Sequence, residues 1–324
     1  MTLPKISIII PVKPGCEVRA LAGIARASYP ADRFEVLVAY GSKPSAQRNV
    51  AAAKAKGELL FFLDDDSQVA SDFLEAAARH YLDPKVAAAG GPSLTPGTDS
   101  TLQRAIGVAL ASVVGGGGVR NRYKKSGSAR VSSDSELILC NLSFRREIFL
   151  SHGGLDTRLY PNEENELMDR LLHEGFLLVY DPELAVFRSQ RSSYPAYLRQ
   201  MFGYGRGRGE QTVLSGRLKP LSLAPSLLLV YTFLLPFLGR GLFLMPMICY
   251  LAVVAWASLW GSFSGRDPAL LPRLLLVFPT LHLVYGAGVI CGLFRPRFRS
   301  ARRSAKGIEV RRVKGFGEST VSQA

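Results

Sequence analysis

Between residues 221 and 294 the chain is almost free of charge. Leu221 to Leu238, Gly241 to Gly265 and Leu274 to Phe294 are three uncharged runs, separated only by Arg240 and by Arg266, Asp267 and Arg273. Each comes close to the roughly 20 apolar residues that span a bilayer core. Helices on the surface of a water-soluble domain need a polar face, and these runs offer none. The sequence therefore predicts a helical membrane region at 221–294, with two to three apolar helices, behind a domain of residues 1–220 that folds in water.

Charge assigns sides to this plan. Residues 1–220 carry a net charge of +5 and residues 221–324 a net charge of +9, out of +14 for the chain. Nine Lys and Arg lie in the tail, residues 295–324, and such a cluster beside an apolar helix favours the cytoplasm. The tail reads as basic, disordered and cytoplasmic. This excess beside the membrane explains the net charge without nucleic acid as a partner, and no nucleic-acid-reading module is evident. The N-terminal "MTLPKISIIIPVKPG" has only a short apolar run and no small-residue cleavage site, so it reads as a first strand and not a signal peptide. With both ends inside, the crossings must be even in number. The first run contains Pro225 and Pro236 and is expected to lie in the interface or re-enter, while the second and third form a hairpin. A three-span chain would instead put the basic tail outside. His282, inside the last run, is either functional or a neutral histidine bonded to a neighbouring helix.

The first 220 residues have a different rhythm. "KISIIIPV", "FEVLVAYG" and "ELLFFL" are strand-like, and "EVRALAGIARAS" and "AQRNVAAAKAKG" between them have helical spacing. Strand, helix, strand, helix, strand predicts a parallel sheet with crossover helices, whose ligands gather at the carboxyl ends of the strands. Leu59 to Leu63, apolar without alternation, suit a strand covered on both faces. Asp64, Asp65 and Asp66 follow at once. Adjacent carboxylates repel one another unless a cation joins them, and oxygen ligands without His or Cys suit Mg²⁺ or Mn²⁺. Helix capping is the plainer alternative, but Ser71 and Asp72 already stand where the next helix starts.

Further along, "YPNEENELMDRLLHEGF" places Glu163, Glu164 and Glu166 at the start of an amphipathic helix. The helix dipole alone favours acids there, and it is also a good place to fix a general base. The glycine run "VVGGGGVRNRYKKSG", residues 113–127, reads as a mobile loop whose Arg120, Arg122, Lys124 and Lys125 can meet a lipid diphosphate. Cys16, Cys140, Cys249 and Cys291 have no paired spacing and read as buried thiols.

In their order along the chain, "SIIIPVK", "QRNVAAAKAKGELLFFLDDDS", "NLSFRREIFLSHGGLD", "NEENEL" and "RQMFGYGRGR" resemble a family 2 glycosyltransferase of the GT-A fold. The apolar C-terminal runs, with "LHLVYGAG", resemble its membrane-anchored bacterial members that build exopolysaccharide or O-antigen chains on lipid carriers. The resemblance implies an α/β fold with a mostly parallel sheet and flanking helices. It implies a metal-dependent, inverting transfer of a sugar from a nucleotide-diphospho-sugar to a hydroxyl of a polyprenyl-diphosphate-linked saccharide. It also implies a multi-pass protein of the inner membrane with a cytoplasmic catalytic domain. By position, Asp64 and Asp66 become the D-x-D pair that holds Mg²⁺ or Mn²⁺, with Asp66 the direct ligand. Asp65 falls near the donor sugar or ribose, and Pro11 and Asn49 fall among the donor-binding positions. Glu164 becomes the base, with Glu163 as its rival, where the family usually has Glu-Asp. Arg206 and Arg208 resemble a basic element that closes over the diphosphate, or else attract lipid headgroups. Two positions depart from the family. Tyr40 stands where many relatives have a nucleotide-binding acid, and Arg188 where they often have a His. Arg188 can hold phosphate oxygens but cannot ligate a metal. A nucleotidyltransferase on the same fold and a degenerate transferase without activity stay open as alternatives.

Overall fold

The computed structural model describes residues 3–238, 241–299 and 307–321, so Arg240 and the tail residues 300–306 and 322–324 lie outside the described residues. In chain order the elements are β1 (Ile6–Val12), α1 (Ala20–Ile24), β2 (Phe34–Tyr40), α2 (Pro44–Lys54), β3 (Leu59–Leu63), α3 (Phe73–Ala78), β4 (Val86–Gly90) and β5 (Ser93–Leu94). Then come α4 (Thr101–Ala111), α5 (Val113–Gly116), β6 (Arg130–Ser132), β7 (Asn141–Arg145), α6 (Arg146–Ser151), α7 (Glu163–His173), β8 (Leu177–Tyr180) and β9 (Val186–Phe187). The chain continues through α8 (Tyr194–Ser215), α9 (Ala224–Leu234), α10 (Met245–Ser264), α11 (Leu270–Phe294) and β10 (Glu309–Lys314).

Eight strands form one mixed sheet in the order β10-β2-β1-β3-β7-β4-β8-β6. β1 pairs in parallel with β2 and β3, as the alternation of strands and helices predicts. β3 is buried at all five positions, so its lack of alternation does report cover on both faces. Apolar cores lie on the two sides of the sheet, one around Ile8, Ile10, Phe61 and Phe73, the other around Ile9, Phe62, Phe144 and Phe149. A third core joins α4, α8, α10 and α11.

Among the described residues two helices are long and apolar enough to cross a membrane, Gly241–Ser264 and Leu270–Phe294, and a third candidate arises only if the pair Thr101–Ala111 and Val113–Arg122, bent by 67°, is taken as one span. Leu251, Trp256, Leu259, Trp260 and Phe263 on the first of them are exposed, as lipid-facing side chains would be. The first uncharged run yields only the 11-residue α9 before the chain turns. His282 is bonded at both ring nitrogens: Nε2 donates to the Val114 carbonyl at 2.8 Å, which leaves Nδ1 to accept from the Tyr250 hydroxyl at 2.9 Å. Of the cysteines, Cys140 is buried and Cys291 partly so, whereas Cys16 and Cys249 are exposed. Cys16 sits in the loop after β1 and Cys249 on the outer face of α10, places that composition alone does not reveal.

The glycines of α8 have a packing role. A Cβ at Gly205 would strike the Tyr285 carbonyl, and one at Gly209 the Val289 carbonyl. From the other side, Gly288 meets the Phe202 carbonyl and Gly292 the Arg206 carbonyl. α8 and α11 therefore touch backbone to backbone, the close approach that small residues permit. The glycine run at 113–127 likewise differs from a mobile loop: Val113–Gly116 and Gly117–Arg122 are helical turns. Gly115 and Gly116 lie against the carbonyls of Ala109 and Leu110, and Gly115 also against the Phe278 ring, an approach a side chain would block.

The tail corrects the expectation of disorder at residues 309–314. β10 adds antiparallel to β2, pairing Arg311 with Val38 and Val310 with Ala39. Arg312 Nε lies 2.8 Å from the carboxylate of Glu35, which is fully buried on β2 and also accepts from Ser7 Oγ at 2.7 Å. Lys314 Nζ donates to the carbonyls of Ala31 and Phe34. The basic residues of the tail are not all solvated, because a buried acid on the neighbouring strand β2 gives Arg312 a partner.

Candidate active site

A cavity of about 450 Å³ opens at the carboxyl ends of β1, β2 and β3. Pro11 and Val12 close one wall at the end of β1, Gly41 follows β2, and Asp64, Asp65 and Asp66 follow β3. Glu163 and Glu164 enter from the N-terminus of α7, and Arg188 and Arg191 from the segment after β9. Arg48 reaches in from α2, and Tyr204 from α8. Among its lining residues, Lys13, Arg19, Arg48, Arg188 and Arg191 match Asp64, Asp65, Asp66, Glu163 and Glu164 in formal charge.

The charges form one connected network. Arg188 donates from Nε to Asp66 Oδ1 at 2.9 Å and lies 3.1 Å through Nη2 from Asp64 Oδ2. Arg48 Nη2 donates to the other Asp64 oxygen at 2.7 Å, and its Nη1 lies 3.6 Å from Glu163 Oε1. Burial alone would raise the Asp64 carboxyl, but Arg188 and then Arg48 outweigh it and hold the group below the usual carboxylate range. Asp65 goes the other way, raised by burial and by its two acidic neighbours. Burial, then Glu164, also raises Glu163, and Arg48 offsets this only in part. Among the described residues no ion pair engages the Glu164 carboxylate.

The structure gathers Pro11, Asp64, Asp65, Asp66, Glu163, Glu164 and Arg188 around this cavity and leaves three predicted donor residues outside its lining. Asn49 Nδ2 donates to Leu155 O at 2.7 Å and its Oδ1 accepts from Leu155 N at 2.9 Å, which ties α2 to the loop before α7. Arg206 pairs with Glu210 one helical turn on and donates to Arg295 O at 3.0 Å. Arg208 donates to Gln211 Oε1 at 2.9 Å. Glu210 is fully buried and is further bound by Arg297 through Nε and Nη2, both at 2.9 Å. Such an acid demands cations, and that demand consumes Arg206. Tyr40 is stacked under Arg311 at 5.0 Å and does not line the cavity. Arg122 is buried and binds Asp134 and Asn165, and Lys125 pairs with Glu183 at 3.0 Å.

Arg48, Arg191 and Tyr204 escape the sequence reading. Arg48 stands in an alanine-rich helix, where an arginine ordinarily points to water, yet it is 4% exposed. Nothing in its local sequence signals this.

Asp64 and Asp66 both face one guanidinium, so their oxygens converge on a point that holds positive charge. That convergence fits a divalent cation. Among the described residues no group of three His, Cys, Asp or Glu surrounds such a point, so a bound Mg²⁺ or Mn²⁺ would need further oxygen ligands from water or from a phosphate.

A mixed α/β sheet with an acidic triplet ending its third strand, and a second acidic pair opening a helix across the cleft, is the architecture of the GT-A fold. A mannosyltransferase from Pyrobaculum calidifontis, solved with GDP-Man and Mn²⁺, shares this fold with a TM-score of 0.53 over 90% of this chain and 88% of that one, at 15% identity. The family model described as glycosyl transferase family group 2 matches residues 59–291, and the chain belongs to that family. The succinoglycan biosynthesis protein ExoA of Rhizobium meliloti (strain 1021) is 25% identical over 254 residues, covering 75% of this chain and 72% of that protein.

Proposed function

We propose that this glycosyltransferase moves a sugar, with inversion, from a nucleotide-diphospho-sugar to a hydroxyl of a polyprenyl-diphosphate-linked saccharide in cell-surface polysaccharide synthesis. The observation that carries the reading is the single cavity in which Asp64 to Asp66 and Arg188 face Glu163 and Glu164. One set of groups suits a diphosphate, the other an acceptor hydroxyl. Arg188 and Arg191 bind phosphate oxygens as fixed cations. Asp66, with Asp64, would hold Mg²⁺ or Mn²⁺, which when bound supplies positive charge against the leaving diphosphate. Glu164 takes the acceptor proton, since its carboxylate is outside the ion pairs while Glu163 is held by Arg48. The role of the Rhizobium relative in succinoglycan biosynthesis supports a polysaccharide product, and a membrane anchor favours a lipid-linked acceptor over a soluble one.

The domain plan follows the same reading: a catalytic domain at 1–220, a membrane region at 221–294 and a tail that returns to the catalytic domain. β10 shares a sheet with β1 to β3, so the chain comes back to the side of the bilayer that it left. An even number of crossings, with α10 and α11 as the hairpin, satisfies this in the inner membrane with the sheet in the cytoplasm. Titration of detergent-solubilised protein with a panel of nucleotide diphosphate sugars, with Mn²⁺ and again with chelator, tests the assignment. One donor is expected to bind in the presence of metal and to be lost in Asp66→Ala. A panel with no binder overturns it.

A further inference from the structure

Arg188 occupies the point on which Asp64 and Asp66 converge, and this shapes how a cation can arrive. Its main chain is fixed: Arg188 N donates to Leu94 O at 2.9 Å, continuing the pairing of β5 with β9. Its side chain spans both carboxylates, at 2.9 Å and 3.1 Å, while Arg48 holds the remaining Asp64 oxygen at 2.7 Å. A divalent ion entering alone must displace the guanidinium and then stand beside it as a like charge in a largely buried cleft. The cavity is balanced in formal charge, so no excess of negative charge draws a free dication in. A diphosphate changes that balance, because its oxygens offer the displaced guanidinium a bidentate partner.

We propose that Arg188 makes the aspartate pair reject a free divalent cation and accept one only together with a diphosphate, onto which the guanidinium then turns. Arg188 thus couples metal entry to donor entry through its own contact with the diphosphate. The proposal rests on the functional reading above only in taking a diphosphate as the arriving group. Arginine serves here because its planar fork reaches two carboxylates at once, whereas a lysine presents one point charge.

The test uses the full-length protein in detergent, with free Mn²⁺ followed by electron paramagnetic resonance in the absence of nucleotide. Wild type is expected to bind Mn²⁺ at least tenfold more weakly than Arg188→Gln, and the gain in that variant is expected to vanish in Arg188→Gln/Asp66→Asn. Arg188→Lys, the second variant should the glutamine disturb folding, is expected to tighten Mn²⁺ binding by less. Adding inorganic pyrophosphate should restore Mn²⁺ binding in wild type and do so less effectively in Arg188→Gln. Equal Mn²⁺ affinity in wild type and both variants overturns the proposal, as does wild type binding the ion more tightly. Because only the ion and pyrophosphate are used, a failed sugar donor panel sinks the functional assignment without changing this comparison.

Discussion

Glu163 and Glu164 are neighbours in sequence, both buried and both lining the cavity, but only one of them has an ionic partner among the described residues. Glu163 is 1% exposed and lies against Arg48, while Glu164 opens on the cavity outside the ion pairs. Glu164→Gln keeps size and hydrogen bonding but cannot take a proton. It is expected to leave donor affinity near that of wild type while turnover falls roughly 10²- to 10⁴-fold, the usual worth of a general base. Glycosyl transfer rates at saturating donor check this, and full activity with loss in Glu163→Gln would move the role next door. At this scale the acidic half of the site was legible, since clustered carboxylates stand out against an apolar strand or at a helix start. The basic half was not. Arg48 lies 16 residues before Asp64 on another element, and only the fold brings them together. Arg206 and Arg208 stood in a conspicuous motif, yet a buried Glu210 on the same helix had the stronger claim on Arg206.

Between elements, the seam of α8 against α11 decides how firmly the cavity sits on the hairpin. Gly207, on the same helix, lies against the Pro161 carbonyl just before the acidic pair of α7, so α8 touches both the site and the membrane helix. Gly209→Val places a branched side chain against the Val289 carbonyl. The cost of such overpacking is roughly 1–3 kcal/mol, expected as a lower thermal midpoint in detergent together with reduced activity. An unchanged midpoint would mean that the helices can part without loss. Strands and crossover helices could be read from the sequence because their hydrophobic rhythm is local. The turns at 113–122 could not, because glycine there signals a close neighbour, Phe278, more than 160 residues away along the chain.

For the whole molecule, the last described strand is also an edge of the sheet that begins the chain. Ending the chain at residue 308 removes Arg312 from the buried Glu35 and exposes the backbone of β2, an open edge prone to aggregation. The shortened protein loses the strand pairing on β2 and the half-exposed Arg312 partner of Glu35, so it is expected to denature at a lower temperature and to aggregate. Equal thermal stability by light scattering and fluorescence would assign β10 no structural weight. The tail eluded sequence reading for the reason Arg48 did: its partner is fixed only in three dimensions. A timing constraint follows for synthesis on the ribosome. β1, β2 and β3 are made before the rest of the sheet and can pair at once, but their outer edge must wait until both long apolar helices have been made. This edge of the sheet is therefore closed by a strand made about 270 residues after β2, and under the proposed two-crossing plan a chain inserted the opposite way round leaves β2 without its neighbour.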